Sequence, residues 1–256
     1  MLHLSVVIIT FNEERNIARC LESVEHIAHE IVVVDSFSTD RTEAICRSKP
    51  KVKFIQHAFE GHIQQKNFAL DQAANDWVLS LDADEALSET LCQSIRTVLE
   101  GPNANGYSFN RLSNYCGKWI RHGSWYPDIK LRLFDRRTVR WTGVNPHDKA
   151  EFLASEKAIH LKGDLYHYSY YTLDEHTRKL DYFSTLAAKA YAEKGKKAGW
   201  FQLVVNPSFA FFRDYFLRLG FLDGYEGWLI ARLTAIYTFQ KYAKLRALYQ
   251  NANATV

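Results

Sequence analysis

The chain has 256 residues, 47% hydrophobic and 24% charged, enough to bury a full core without disulfide or metal staples. Its four cysteines, Cys20, Cys46, Cys92 and Cys116, lie far apart with no CxxC pair, which excludes a zinc ribbon and a small disulfide scaffold and points to reduced thiols. The net charge of +3 gives no nucleic-acid signature, but residues 111–140 and 194–256 each carry a net +6, an asymmetry that suggests anionic partners for those parts.

LSVVIIT, at the N-terminus, is a continuous β-branched run and predicts a buried strand. It is apolar but lacks the basic n-region and cleavage site of a signal peptide. Residues 12–26 follow with Ile17, Cys20, Leu21 and Val24 on one helical face. EIVVVD predicts a second strand, and Ser38-Thr39-Asp40 offers caps for a short helix. KVKFI is a third strand, residues 62–74 a helix, and WVLSL a fourth strand, after which Ser88 caps a helix to about Leu99. Such alternation predicts a mostly parallel α/β sheet covered on both faces. Gly101-Pro102-Asn103 then breaks the pattern. GYSFNRL and IKLRLFD alternate as half-buried strands, with a loop rich in Trp, Tyr, Gly and Arg between them, and AIHLKGDLYHYSY is a final strand. From Thr172 onward the chain reads helical and strongly aromatic. No uncharged apolar run reaches the ~18–20 residues needed to cross a bilayer, and GWLIARLTAIYTF is interrupted by Arg232. A soluble or peripheral protein is expected.

Ligands of open α/β sheets bind at the carboxyl ends of the strands. Three such ends here are polar: Thr10-Phe11-Asn12-Glu13, Asp35-Ser36-Phe37-Ser38 and Asp82-Ala83-Asp84. GxGxxG and GxxxxGK[ST] are both absent, so phosphates are not held by a glycine cradle. A divalent cation on Asp82 or Asp84 is the expected counter-charge, and it makes three acids within four positions tolerable.

The blocks SVVIITFNEE, EIVVVDSFSTDRT, QQKNFAL and WVLSLDADEAL, in this order and spacing, resemble glycosyltransferase family 2, whose fold is GT-A, a Rossmann-like nucleotide-diphospho-sugar transferase sheet. HGSWYPDIKLRLF, LKGDLYHYSY and the aromatic tail resemble a narrower group, the bacterial β-1,4-glucosyltransferases of the lipopolysaccharide inner core. The resemblance implies a nucleotide-sugar half at 1–100, an acceptor and catalytic half at 101–170, and a helical membrane-associating extension at 171–256. It implies a UDP-sugar donor, Mg²⁺ or Mn²⁺, and single-sugar transfer with inversion. Thr10, Asn12, Glu13, Asp35, Lys66, Asn67, Asp82, Ala83 and Asp84 would line the donor pocket, with Asp84 the principal metal ligand and Asp82 second. Ser36 and Phe37 stand where many members have Asp and Gly. His147-Asp148 stands where a Glu-Asp pair is usual, and no QxxRW follows, which argues against a processive polymerase.

Inverting transfer needs a carboxylate to take the acceptor proton. Asp148, in a loop VNPHDKA, is the expected base and Asp128 its rival. His147 and His167 are candidate metal or phosphate contacts. Arg121, Trp125 and Tyr126 are candidates for the acceptor, the aromatics by stacking on sugar. The basic run suits an anionic lipopolysaccharide core, and the tail suits the inner face of a bacterial inner membrane. Other acceptors among envelope glycolipids, a non-catalytic binding module, and a metal-dependent phosphohydrolase suggested by DADEAL are the alternatives.

Overall fold

LSVVIIT forms β1 (Leu4–Thr10), EIVVVD β2 (Glu30–Asp35), VKFIQ β3 (Val52–Gln56) and WVLSLD β4 (Trp77–Asp82). The computed structural model describes residues 2–145 and 147–254, apart from the side chains of His147 and of residues 251–254. The four strands run parallel in the order β3-β2-β1-β4. Helices α1 (Ile17–Val24), α2 (Thr42–Arg47), α3 (His62–Asp71) and α4 (Glu89–Glu100) alternate with them. Period-two alternation sends Val6, Ile8 and Leu79 into one core with Ile17 and Leu21 of α1, and Val7, Val34 and Val78 into the other with Ala69 and Leu70 of α3. Both faces are dry, so a continuous apolar run is what these strands require. Ser88 caps α4, its hydroxyl accepting from the Leu91 amide.

Beyond β4 the sheet becomes mixed. β5 (Glu85–Leu87), β6 (Gly106–Tyr115), β7 (Lys118–Trp119), β8 (Asp128–Asp135) and β11 (Ile159–Tyr170) extend it in the order β4-β8-β6-β11-β5, with β7 paired to β6. β9 (Val139–Val144) and β10 (His147–Phe152) form a separate antiparallel pair. β6, a central strand between β8 and β11, is largely buried on both faces, where its alternation predicts one wet face. Asp148, expected in a loop, sits in β10 opposite Gly143. Gly143 and Asn145, residue types that favour turns, disguise that hairpin in the sequence.

Contacts divide the chain into two compact units, Met1–Leu112 with Asp128–Tyr168, and Ser113–Pro127 with Ser169–Val256. The second holds α5 (Leu173–Glu193), α6 (Trp200–Phe212) and α7 (Gly224–Ala254), with a π-helical turn at Arg213–Leu217 and a 3₁₀ turn at Gly220–Asp223. Two buried acids hold the 113–127 excursion to it. Asp223 accepts from the Arg121 and His122 amides, and Asp214 from the Ser124 hydroxyl. A Cβ on Gly227 would lie 1.9 Å from the Gly220 carbonyl oxygen, so only glycine permits this approach. Among the described residues the four cysteines are free thiols.

His176, on α5, stacks on Tyr170 at 4.5 Å between ring centroids, and its Nδ1 shares a 3.1 Å hydrogen bond with the Tyr115 hydroxyl. Burial, aided by Lys179, lowers its pKa from 6.5 to about 4. Between those values the folded chain binds fewer protons than the unfolded one, so stability is full above pH 6.5 and falls as the pH drops toward 4. The loss is expected to approach ~3 kcal/mol, since each tenfold change in proton affinity is worth ~1.4 kcal/mol. Denaturant melts at neutral and acid pH check this, and His176→Gln should flatten that part of the pH dependence.

Candidate active site

The acid-rich corner after β4 is organised by the chain's own cations. Lys66 is on α3, whose buried residues are the polar Gln65 and Lys66 beside the apolar Ala69 and Leu70. Its Nζ lies 2.9 Å from Asp82 Oδ1 and 2.8 Å from Asp148 Oδ2, and 4.2 Å above the Trp141 ring. Arg132, from β8, places Nη2 2.9 Å from Asp82 Oδ2 and 2.8 Å from Glu85 Oε1. Arg111, from β6, reaches Glu85 at 3.4 Å and Asp128 at 2.8 Å. Glu85, fully buried in β5, also accepts the Asp82 amide at 3.0 Å. The result is a chain of alternating charge from Asp148 through Lys66, Asp82, Arg132, Glu85 and Arg111 to Asp128.

Burial alone would raise the Asp82 pKa, but Lys66 and Arg132 outweigh it and hold that carboxyl far below the usual range. Burial likewise works against charge on Arg132, and Glu85 with Asp82 reverses this, so the guanidinium stays protonated. Asp128 follows the same rule: burial raises it, and Arg111 and Lys130 together pull it below the ordinary carboxylate value. Lys66, Asp82, Arg111, Arg132, Trp141 and Asp148 are among the walls of a cleft of about 690 Å³.

Asp84 points to a different neighbour. β5 pairs with β11 so that His167 lies opposite Glu85, and the Tyr168 amide donates to the Asp84 carbonyl at 2.9 Å. This register brings His167 Nε2 to 3.3 Å from Asp84 Oδ2, both side chains partly exposed. One carboxylate and one imidazole suit a divalent cation that shares its remaining positions with phosphate oxygens and water. Among the described residues no group of three or more His, Cys, Asp and Glu could hold a metal ion without such help. Asp82, expected as second ligand, has both oxygens in ion pairs with Lys66 and Arg132. The side chain of His147 lies outside the described residues.

The other expected donor residues lie at the ends of β1 and β2, in the turn after β4 and within α3. Thr10 is buried and its hydroxyl has no hydrogen-bond partner among the described residues. Asn12, at φ +53°, and Glu13 are laced to the β2 end: the Asn12 amide donates to Ser38 Oγ, Asn12 Oδ1 accepts the Thr39 amide, and the Glu13 amide donates to Thr42 Oγ1. Asp35, fully buried, accepts from the Ser38 amide and hydroxyl. Ala83 is buried in the turn. Asn67 exchanges hydrogen bonds with the Trp141 backbone in both directions, which clips β9 onto α3.

Trp125 and Tyr126, with Arg121, belong to the second unit. Trp125 packs edge-on against Tyr115 and beside Tyr170, inside a small apolar core with Ile120 and Ile230. Much of the basic run is paired internally: Arg137 with Asp135 and Asp76, Arg140 with Asp71, Lys130 with Asp128. Arg132, Glu85 and Arg111 are site residues that in the sequence stand only as members of charge runs. The local signal for Glu85 is the acid cluster itself, and that for Arg132 is an Arg in the strand KLRLF flanked by Leu on both sides.

A model of the family described as "Glycosyl transferase family 2" matches residues 5–158. An uncharacterised glycosyltransferase of Rickettsia typhi is 32% identical over 97% of this chain and 88% of its own length. A lipopolysaccharide core biosynthesis glycosyltransferase, LpsC, of Rhizobium meliloti is 30% identical over 95% of this chain and 92% of its own. Among solved structures, the mannosyltransferase PcManGT of Pyrobaculum calidifontis, in complex with GDP-Man and Mn²⁺, shares the fold at a TM-score of 0.57 and 17% identity, over 95% of this chain and 87% of that one. S. aureus TarS in complex with UDP-GlcNAc gives 0.50 and 16%, over 98% and 92%. The GT-A expectation for the fold holds in these likenesses. The family match covers well over half of the chain, and the relatives extend it through the tail: this protein belongs to glycosyl transferase family 2.

Proposed function

We propose that this glycosyltransferase moves one hexose, glucose from UDP-glucose, onto a heptose of the lipopolysaccharide inner core with inversion. The observation that carries it is Lys66, one buried cation joining Asp82, at the donor edge of the sheet, to Asp148, in the wall of the cleft. The likeness to LpsC supports the choice of acceptor class. In this reading the β1 and β2 ends receive the nucleoside, and the unpartnered Thr10 hydroxyl is a buried polar group that a ligand satisfies. Asp84 and His167 would hold the cation, which when bound supplies positive charge opposite the diphosphate. Asp148 takes the proton of the attacking acceptor hydroxyl at a carboxylate oxygen. As that proton neutralises Asp148, Lys66 keeps its partner Asp82, so positive charge remains fixed at the cleft floor while the leaving group becomes more anionic.

A phosphohydrolase reading is disfavoured. It would need an uncommitted carboxylate nucleophile, whereas both oxygens of Asp82 are ion-paired. An envelope glycolipid other than the inner core is the remaining alternative for the acceptor.

The test is UDP release across a panel of UDP-sugars with a defined heptose-bearing, phosphorylated core acceptor. Turnover with UDP-glucose is the expected result, and silence with every donor would overturn the reading. In the same assay EDTA should abolish transfer and Mn²⁺ or Mg²⁺ restore it. Asp84→Ala and His167→Ala are each expected to need at least ~10-fold more Mn²⁺ for half activation. Full activity in EDTA would remove the metal from the scheme.

A further inference from the structure

The largest feature not used by the transfer chemistry is the outer face of α6 and the turns after it. Trp200, Phe201, Val204, Val205, Phe209 and Phe212 are 42–75% exposed. Their spacing places them on one side of the helix, while Pro207 and Ala210 are buried on the side that packs against α7. Phe216, Leu217, Phe221, Leu222 and Tyr225 continue the surface at 43–65% exposure. Monomeric soluble proteins seldom leave so contiguous an apolar surface in water, and its size marks a contact site.

Charge decides the occupant. No charged residue lies between Trp200 and Phe212. Lys194, Lys196 and Lys197 precede this stretch, Arg213 and Arg218 follow it, and Asp214 and Asp223 are the two acids within 194–225, giving a net +3. Asp214 is 1% and Asp223 5% exposed, so what the surface presents around its apolar centre is cationic. An isologous contact with a second copy would bring those basic flanks together. An apolar face bordered by Lys and Arg, with Trp and Tyr at its margins, matches the boundary of an anionic bilayer. Among the described residues no helix is long and apolar enough to cross a membrane, so a bilayer contact of this segment would be one in the plane of the surface.

We infer that the exposed face of α6, with the adjoining turns through Tyr225, is an interfacial docking surface for anionic phospholipid. This deepens the proposed function and rests on it only for its purpose, bringing the cleft's owner to a lipid-linked acceptor. The surface can be tested apart from the chemistry.

The full chain is floated with phosphatidylcholine vesicles, with and without phosphatidylglycerol. It should float with the mixed vesicles and be released progressively as salt rises. Phe201→Ser with Phe209→Ser should weaken that binding roughly 30–100-fold, through lost apolar burial. Lys196→Glu with Lys197→Glu should weaken it at least ~10-fold on mixed vesicles only. These positions are exposed, so the melting transition and transfer to a soluble, deacylated acceptor should be unchanged. Absence of flotation at low salt overturns the inference, as does wild-type flotation by the Phe201→Ser, Phe209→Ser variant. So does a wild-type dimer in light scattering that this variant converts to monomer, which would make the face a contact between copies. Each of these failures leaves the donor-panel result standing.

Discussion

Asp148→Asn is expected to lower kcat by about 10²–10⁴-fold, the usual contribution of a general base, while nucleotide-sugar binding stays near wild type. The substitution keeps shape and an oxygen that can accept from Lys66, so it removes basicity with little else. Asp148 sits in β10, a paired strand, with its carboxylate held at 2.8 Å by a lysine that is itself 5% exposed. A base fixed by packing loses no entropy on meeting the acceptor hydroxyl. Asp128→Asn is the control. Its carboxyl is drawn below the ordinary range by Arg111 and Lys130, against the effect of burial, and both of those cations would have to be answered before it could take a proton. Single-turnover transfer, with isothermal titration of the donor, separates the two. If Asp128→Asn loses turnover and Asp148→Asn keeps it, the assignment of the base reverses.

Arg132→Met is expected to destabilise the fold by about 3–5 kcal/mol, the range for breaking a buried pair from one side. The methionine keeps the apolar stem beside Trp141 but leaves Glu85, whose side chain is fully buried, with Arg111 at 3.4 Å as its remaining cation. Asp82 would lose one of its two partners at the same time. Denaturant titration should show a lower midpoint at an unchanged slope. Adding Glu85→Met should recover part of the loss, since removing both charges costs less than orphaning one. An unfolding free energy within ~1 kcal/mol of wild type would mean that water or Arg111 substitutes for Arg132, against this network.

The blocks legible from sequence are those whose cause is local. Period-two and continuous apolar runs place β1 to β4, and the carboxyl ends of β1, β2 and β4 put Thr10, Asp35 and Asp82 along one edge. Ser88 signals the start of α4 by its own side chain. The acid cluster of WVLSLDADEA likewise signals a site, because carboxylates so close together need counter-charge.

Local patterning alone therefore dictates the parallel half of the sheet, the polar edge at its carboxyl ends, and the demand for cations at the end of β4. Which cation answers which acid depends on the long-range fold. Lys66 meets Asp148 across 82 residues and Arg132 meets Glu85 across 47. No periodicity encodes such pairs; they follow from the register of β8 against β4 and the fold of the β9–β10 hairpin over α3. The same holds for Asp84 and His167, joined by the pairing of a three-residue strand with β11. Helix and strand patterns report burial one face at a time, whereas ion pairing in a low-dielectric corner depends on which strands become neighbours. That is why the acids could be found before the fold, and their partners only after it.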